Sequence, residues 1–453
     1  MSTLLINYVK LIFSLLFLVS TVSVNSQNTL DHYVEQGLKN NIVLKQKNIS
    51  LDKAMYSLKT AQSLFYPNVG FKADYQYGDG GRNISIPVGD LLNPVYTTLN
   101  QLTQTQAFPQ VSNSETNFLP KNYYDFKIRT SMPIYNRELV YNKQIANQQL
   151  ILQQNEIEIY KSELCKNIKL AYFNYLSASK TIAIYESTML LATEAKRVNE
   201  SLLKNGKSLK AYVLRSESEI QNLIAKKTQA VEQANNAKLY FNFLLNASIS
   251  QNIDTTGNEL LNTSLIEQYL ISDPEISNRT ELKSLEFAEK INATVIKMNK
   301  SWRLPSLNAY LDLGSQASDW KFNSKTKYYL FGLQLDMPIY TARKNDYKIR
   351  QAELDLDITS LSKDLTTKQI ELAANIAKNN LSSVYENYKA SLKQLEAAIS
   401  YNGLIEKGFK EGVNSFLETI DARNQLSSAS ILVTVNKYQL LGAVANYERE
   451  ILK

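Results

Sequence analysis

The sequence predicts a mixed α/β fold duplicated within the chain, with two long α-helical hairpins and four β-strands. Three observations carry that prediction. Met-Pro-Ile-Tyr occurs twice, at 132–135 and 337–340. Each copy follows a run in which apolar and polar residues alternate, the period of a half-buried strand. Each is followed by a proline-free stretch, 138–203 and 343–403, whose apolar positions recur at helical spacing.

Bulk composition excludes several classes. At 44% apolar and 21% charged residues over 453 positions, the chain is neither disordered nor a polytopic helical membrane protein. Tyrosine is in excess, 28 against 15 Phe and two Trp, which suits surfaces with one wet and one apolar side. The formal charge of +7 is spread as lysines among glutamates, without a dense basic block, so nucleic acid is not an expected partner. The single cysteine, Cys165, has no partner for an internal disulfide and reads as a small side chain on a helix. With His32 the only histidine, a His-based metal site or acid–base pair is not expected. No catalytic residue, cofactor or metal is assigned, and an enzyme is not expected.

The elements follow in order. Lys10 precedes the apolar run "LIFSLLFLVSTVSV", and small residues stand before a cleavage point between Ser26 and Gln27, so residues 1–26 read as a secretory signal peptide. No later stretch has the length of an apolar membrane helix, so any further crossing needs another device. Residues 27–246 form a first structural repeat. It opens with helix, a break near Asn40–Asn41, and helix again as far as Pro67. A first strand, about 67–77, sets Val69, Phe71, Ala73, Tyr75 and Tyr77 against Asn68, Gly70, Lys72, Asp74 and Gln76. Residues 78–121, rich in Asn, Thr, Gln and Pro, read as a long loop. A second strand, about 122–133, sets Tyr124, Phe126, Ile128, Thr130 and Met132 against Tyr123, Asp125, Lys127, Arg129 and Ser131, and Pro133 closes it. A long hairpin over 138–246 turns at Gly206.

Residues 247–275 read as a connecting segment with a short helix around Leu265–Leu270. Residues 276–453 repeat the plan: a helix to Pro305, strands at about 305–314 and 327–338, and a hairpin over 343–449 turning around Gly408 and Gly412. A 66-residue helix reaches about 100 Å, far more than a globular core needs. Pro133 and Tyr135, and Pro338 and Tyr340, mark the strand-to-helix joints.

Four strands leave two open edges and cannot cross a membrane alone, because unpaired backbone groups in hydrocarbon are too costly. Three chains supply a closed barrel of twelve. Lys72, Asp74, Asp125, Lys127, Arg129, Gln334 and Asp336 then line a wet interior, and the opposite faces meet lipid. The Tyr-Tyr pairs at 123–124 and 328–329, with Trp302 or Trp320, suit interfacial girdles.

On these residues the chain resembles the TolC-like outer membrane efflux proteins of Gram-negative bacteria, over essentially all of its length after the signal. The resemblance rests on the duplicated layout, the Pro-Ile-Tyr junctions at 133–135 and 338–340, the glycine-marked turns, and "GVNSFLETIDARNQL" at 412–426. It implies a homotrimer with a 12-stranded β-barrel in the outer membrane lipid, a 12-helix periplasmic tunnel, and an equatorial belt that includes 247–275. It also implies docking to a periplasmic adaptor (membrane fusion) protein and an inner-membrane transporter of the RND, ABC or MFS type. The function so implied is a passive outer membrane exit duct of a tripartite efflux pump, gated at the hairpin tips. The alternatives are the channel of a type I protein secretion system and a non-channel structural surface protein. Gly206, Leu209, Glu406, Gly408, Glu411, Gly412 and Phe416 are the tip residues for gating or adaptor contact, and Leu209 and Phe416 serve either to meet an adaptor or to close the hairpins. Where the best-known members carry aspartates near the second tip, this chain reads "SYNGLIEKGFKEG", with Glu406 and Glu411 and no aspartate pair. Glu418, Asp421 and Arg423 read as a solvated or salt-bridged helix face.

Overall fold

The computed structural model describes residues 29–119, 121–255 and 261–452, so the expected signal peptide lies outside it. Two units emerge. Of the described residues, one comprises those up to Lys53, Ile151–Glu289 and those from Ile358; the other comprises Ala54–Leu150 and Lys290–Asp357.

The chain enters as α1 (Thr29–Asn40) and α2 (Ile42–Ser63). The break between them is Asn41. Its side chain accepts from the Leu44 amide at 3.1 Å, an N-cap for α2, and donates to the Leu244 carbonyl at 3.1 Å.

The second unit holds the sheet. Strands β1 (Asn68–Gln76), β4 (Tyr123–Tyr135), β5 (Ser306–Ala317) and β6 (Lys327–Asp336) lie antiparallel in the order β1-β4-β5-β6, leaving β1 and β6 as free edges. Between β1 and β4 the expected loop is instead an ordered excursion: β2 (Asn83–Ile86), α3 (Val88–Thr103) and β3 (Ser114–Asn117), with β2 and β3 paired. Asn and Thr at successive turns of α3, and Pro94 within it, hid the helical period.

Pro133 does not close the second strand. β4 continues to Tyr135, with Pro133 opposite Asn308, Tyr135 opposite Leu307, and a register shift between them. β1 has already ended at its Asn68–Ser131 pair, so the missing Pro133 N–H is needed by one neighbour at most. The second Met-Pro-Ile-Tyr behaves differently. β6 stops at Asp336, paired with Ser306, because β5 offers no residue beyond. Pro338 and Tyr340 therefore lie in an exposed irregular link to the next helix.

The helical hairpins are α4 (Arg137–Lys204) with α5 (Lys210–Leu244), and α8 (Lys344–Lys410) with α9 (Phe416–Ile451). Their lengths of 68 and 35 residues against 67 and 36 mark them as two copies of one design. Between the copies lie α6 (Thr263–Ile271) and α7 (Thr280–Lys300). In the helical unit, Leu30, Tyr33, Leu164, Ile168, Tyr172 and Phe241 bury together, and a second cluster gathers Ile266, Tyr269, Leu381, Tyr385, Leu440 and Tyr447. Among the described residues, no helix is long and apolar enough to cross a membrane.

Candidate functional site

Two places concentrate the candidate residues. The first is the polar face of the sheet. Strand register puts all seven expected residues, Lys72, Asp74, Asp125, Lys127, Arg129, Gln334 and Asp336, on one face. Lys72 lies opposite Lys127 and Asp74 opposite Asp125, two like-charge pairs. An in-strand ion pair between Lys127 and Asp125 offsets them by joining the two rows.

The two-pronged ion pair on this face involves a residue outside the expected set. Arg129 forks onto Asp312 of β5, Nε to Oδ1 at 2.7 Å and Nη2 to Oδ2 at 2.5 Å, and Asp312 is 1% exposed. The Arg129 guanidinium also stacks over the Tyr310 ring at 4.9 Å. The Tyr328 hydroxyl donates to Asp125 Oδ1 at 2.7 Å. Gly332 makes room for Tyr310, since a Cβ there would sit 2.3 Å from the Tyr310 ζ carbon. Asp312 stands in the polar half of the "SLNAYLDLG" alternation, and that was the available signal. Lys72, Asp74, Gln334 and Asp336 are exposed.

The opposite face is apolar and open. Phe71, Tyr329, Phe331, Leu333 and Leu335 each expose 61% or more. Period two splits each Tyr-Tyr pair between the faces. Tyr123 and Tyr328 join the polar side, while Tyr124 and Tyr329 take the apolar one. Trp320 stacks on Tyr75 at 5.1 Å and Tyr124 at 5.8 Å, forming an aromatic group at the sheet end that carries the β5–β6 turn. Trp302, at the other end, packs with Arg303 instead.

The second place is the pair of hairpin tips, in the helical unit. Both leading helices end alike. The Gly206 amide donates to Leu203 O at 3.0 Å and Lys207 to Leu202 O at 2.8 Å; Gly412 donates to Phe409 O at 3.1 Å and Val413 to Gly408 O at 2.8 Å. This double closure needs a left-handed residue, and Gly206 and Gly412 have φ of 69° and 76°. Gly408 is not a turn glycine. It lies inside α8, and the Asn414 side chain fills the space where a Cβ would be.

The returning helices start differently. Ser415 and Glu418 make a capping box, with the Ser415 amide donating to Glu418 Oε2 at 2.6 Å, and these bonds hold the Glu418 carboxyl below the usual range. Leu209, the corresponding cap, contributes no side-chain bond and is 62% exposed. Phe416 is 4% exposed, packed on Tyr212 of α5 and Phe409 of α8 at ring distances of 5.4 and 6.3 Å. It therefore packs the hairpins together, whereas Leu209 stands exposed. Glu406 is half-buried and accepts from Asn402, while Glu411 is exposed.

Arg423 is not a solvated charge. It donates to Leu191 O of α4 at 3.1 Å and to Thr419, and burial pushes its pKa below the usual arginine range against the pull of Glu406 and Glu219. Glu219 of α5 is 9% exposed, with Oε1 unpartnered beside a cavity of about 20 Å³ lined also by Ser216, Arg423 and Asn424. That volume holds one water. Glu219 and Tyr212 carried no sequence signal, because each falls within ordinary helix-forming text, whereas Ser415 stands three residues before Glu418, the spacing of a capping box. Among the described residues, no cluster of His, Cys, Asp and Glu has metal-holding geometry.

Residues 272–448 match the family model described as outer membrane efflux protein. Two relatives from Pseudomonas putida, the solvent efflux pump outer membrane protein SrpC and the toluene efflux pump outer membrane protein TtgI, are each 26% identical over 164 residues. The match covers 34% of this chain and 33% of either relative, so it spans about a third of their length. The fold extends further. A membrane protein from Pseudomonas aeruginosa superposes with a TM-score of 0.74 at 15% identity, covering 94% of both chains. The CmeC outer membrane channel of Campylobacter jejuni superposes at 0.70 and 14% identity, covering 93% of this chain and 85% of that one.

Proposed function

We propose that this TolC-like chain, matched through its second half to the outer membrane efflux proteins, is the passive outer membrane exit duct of a tripartite efflux pump. The observation that carries the proposal is the sheet: four antiparallel strands with two free edges, one polar face and one exposed apolar face. Hydrocarbon tolerates that apolar face but not the edges, so copies must join β1 to β6 of a neighbour. Two copies give an eight-stranded barrel, whose interior side chains fill. The polar face here carries Arg129, Lys127, Tyr310 and Tyr328, which would block so narrow a bore. Three copies are the fewest that leave a water-filled passage. In the homotrimer the helical hairpins extend into the periplasm, and their tips meet an adaptor and an inner-membrane transporter that supplies the energy.

Conduction needs no chemistry. Solutes pass a hydrated wall of paired charges and leave when the tips part. Small-molecule efflux is preferred over protein secretion because both Pseudomonas relatives are named for pumps of small apolar compounds. Native mass of detergent-purified protein tests the assembly: three chains are expected, and a monomer both in detergent and in membranes overturns the duct. Deletion of the gene should then raise cellular accumulation of small apolar compounds while leaving secreted protein unchanged.

A further inference from the structure

The excursion between β1 and β4 is a stalk with a helix on top, all within the sheet-bearing unit. Its legs are tied by Asp79 and Lys121 at 2.6 Å, by Arg82 stacked over Phe118 at 5.2 Å, and by the β2–β3 ladder. Above them, α3 is clasped to the returning chain along one side. Asn93 both donates to and accepts from the Val111 backbone at 2.9 Å, and Asn100 does the same with Phe108 at 2.8 and 3.0 Å. Thr97 accepts from Gln110 on the same side.

The other side of α3 is uncovered. Leu91, Val95 and Leu102 are 68%, 52% and 76% exposed, and Thr98 lies among them with its hydroxyl donating to Pro94 O at 3.0 Å. Positions 91, 95, 98 and 102 are separated by four, three and four residues, the seam spacing of helices that pack on one another. At 3.6 residues per turn this seam points away from Asn93, Thr97 and Asn100. A lipid surface is a poor fit. α3 has no Lys or Arg and one carboxylate, Asp90, so its polar flank lacks the cations that seat an amphipathic helix on anionic headgroups. A second apolar seam of the same design fits well.

We infer that the α3 helices of three copies of this chain pack seam to seam and narrow the outer mouth of the duct. The inference rests on the trimer proposed above, and it is continuous with that interface. Each stalk grows from β1, the free edge at which neighbouring copies join, and leaves the sheet at the end opposite the long helices. Closure of the barrel therefore brings three identical seams around one axis.

The test uses the full chain with Cys165→Ser, carrying either Val95→Cys on the seam or Thr97→Cys off it. Under copper-phenanthroline oxidation of the purified trimer, Val95→Cys should give disulfide-linked dimers from up to about two thirds of the chains, as pairing within a threefold set allows. Thr97→Cys should stay monomeric on a denaturing gel. Leu102→Cys repeats the test one seam position further, in case Val95→Cys fails to assemble. Leu91→Ser with Leu102→Ser should raise single-channel conductance in planar bilayers severalfold. A native trimer in which neither seam cysteine cross-links and conductance is unchanged overturns the seam and leaves the duct standing. Seam cysteines shielded from a water-soluble maleimide only in lipid vesicles overturn it in favour of membrane contact. Absence of a trimer in the parent protein removes the premise.

Discussion

Asp312 is the residue that organises the polar face. It is buried, and its charge is matched by the Arg129 fork. Arg129→Ala strands that carboxylate and should cost about 2 kcal/mol in urea unfolding of the detergent-solubilised protein. Arg129→Met with Asp312→Leu should recover most of the loss, since an apolar pair of similar volume replaces a buried ion pair at little cost. A second charge cluster ties helices together in the other unit. Arg279, 3% exposed, bonds Glu281 at 2.9 Å and Glu450 at 2.7 Å, and Arg449 reaches Glu281 at 2.9 Å. Burial raises the Glu281 carboxyl, but the Arg279 bond and the two guanidinium charges outweigh it and pull the pKa from 4.5 to about 2. Because the folded value is the lower one, the stabilisation is complete above pH 4.5 and is lost as pH falls toward 2. It amounts to about 3 kcal/mol. Circular dichroism should show Glu281→Gln less stable at neutral pH and its stability flatter across that acid window. At this scale the sequence displayed residue types and faces. It did not display partners, because Arg129 and Asp312 are 183 positions apart.

The elements most exposed to a single change are the hairpin tips. Gly206→Ala and Gly412→Ala force a Cβ into the left-handed region and should each cost about 1 kcal/mol. Gly403→Ala, inside α8 with nothing near its Cβ, should be neutral or slightly stabilising in the same melts. Phe416→Ala removes the aromatic contact shared by Tyr212 and Phe409, and should raise the open probability of single channels. An unchanged open probability would assign the aromatic contact to stability alone. The two turning glycines, 206 residues apart, were legible because a helix C-terminus favours one residue type there. The role of Gly408 was misread because its neighbour Asn414 matters only after the chain has turned. Helix α3 was missed for a related reason. Its asparagines look like loop residues until their partners at 108 and 111 are in place.

For the whole molecule, the polar face of each sheet carries Lys72, Lys127 and Arg129 against Asp74, Asp125, Asp312 and Asp336. A closed trimer should therefore be weakly cation-selective. Lys127→Glu should shift the zero-current potential in a salt gradient further toward the cation value, since it adds negative charge to a narrow low-dielectric wall. No shift would place Lys127 away from the conducting path.

The sequence by itself determined the duplicated plan, the type of most elements and the two faces of β1, β4, β5 and β6. Periods of 2 and 3.6 are local properties, written by residues that lie close together in the chain. Tertiary structure alone decided that β4 continues past Pro133 while β6 stops before Pro338. It also decided that Asp312 answers Arg129, that Phe416 turns inward, and that residues 83–117 fold into a stalk and helix. Each of these depends on which distant segment supplies the missing hydrogen bond, charge or apolar neighbour, and chain folding, not local pattern, selects that segment.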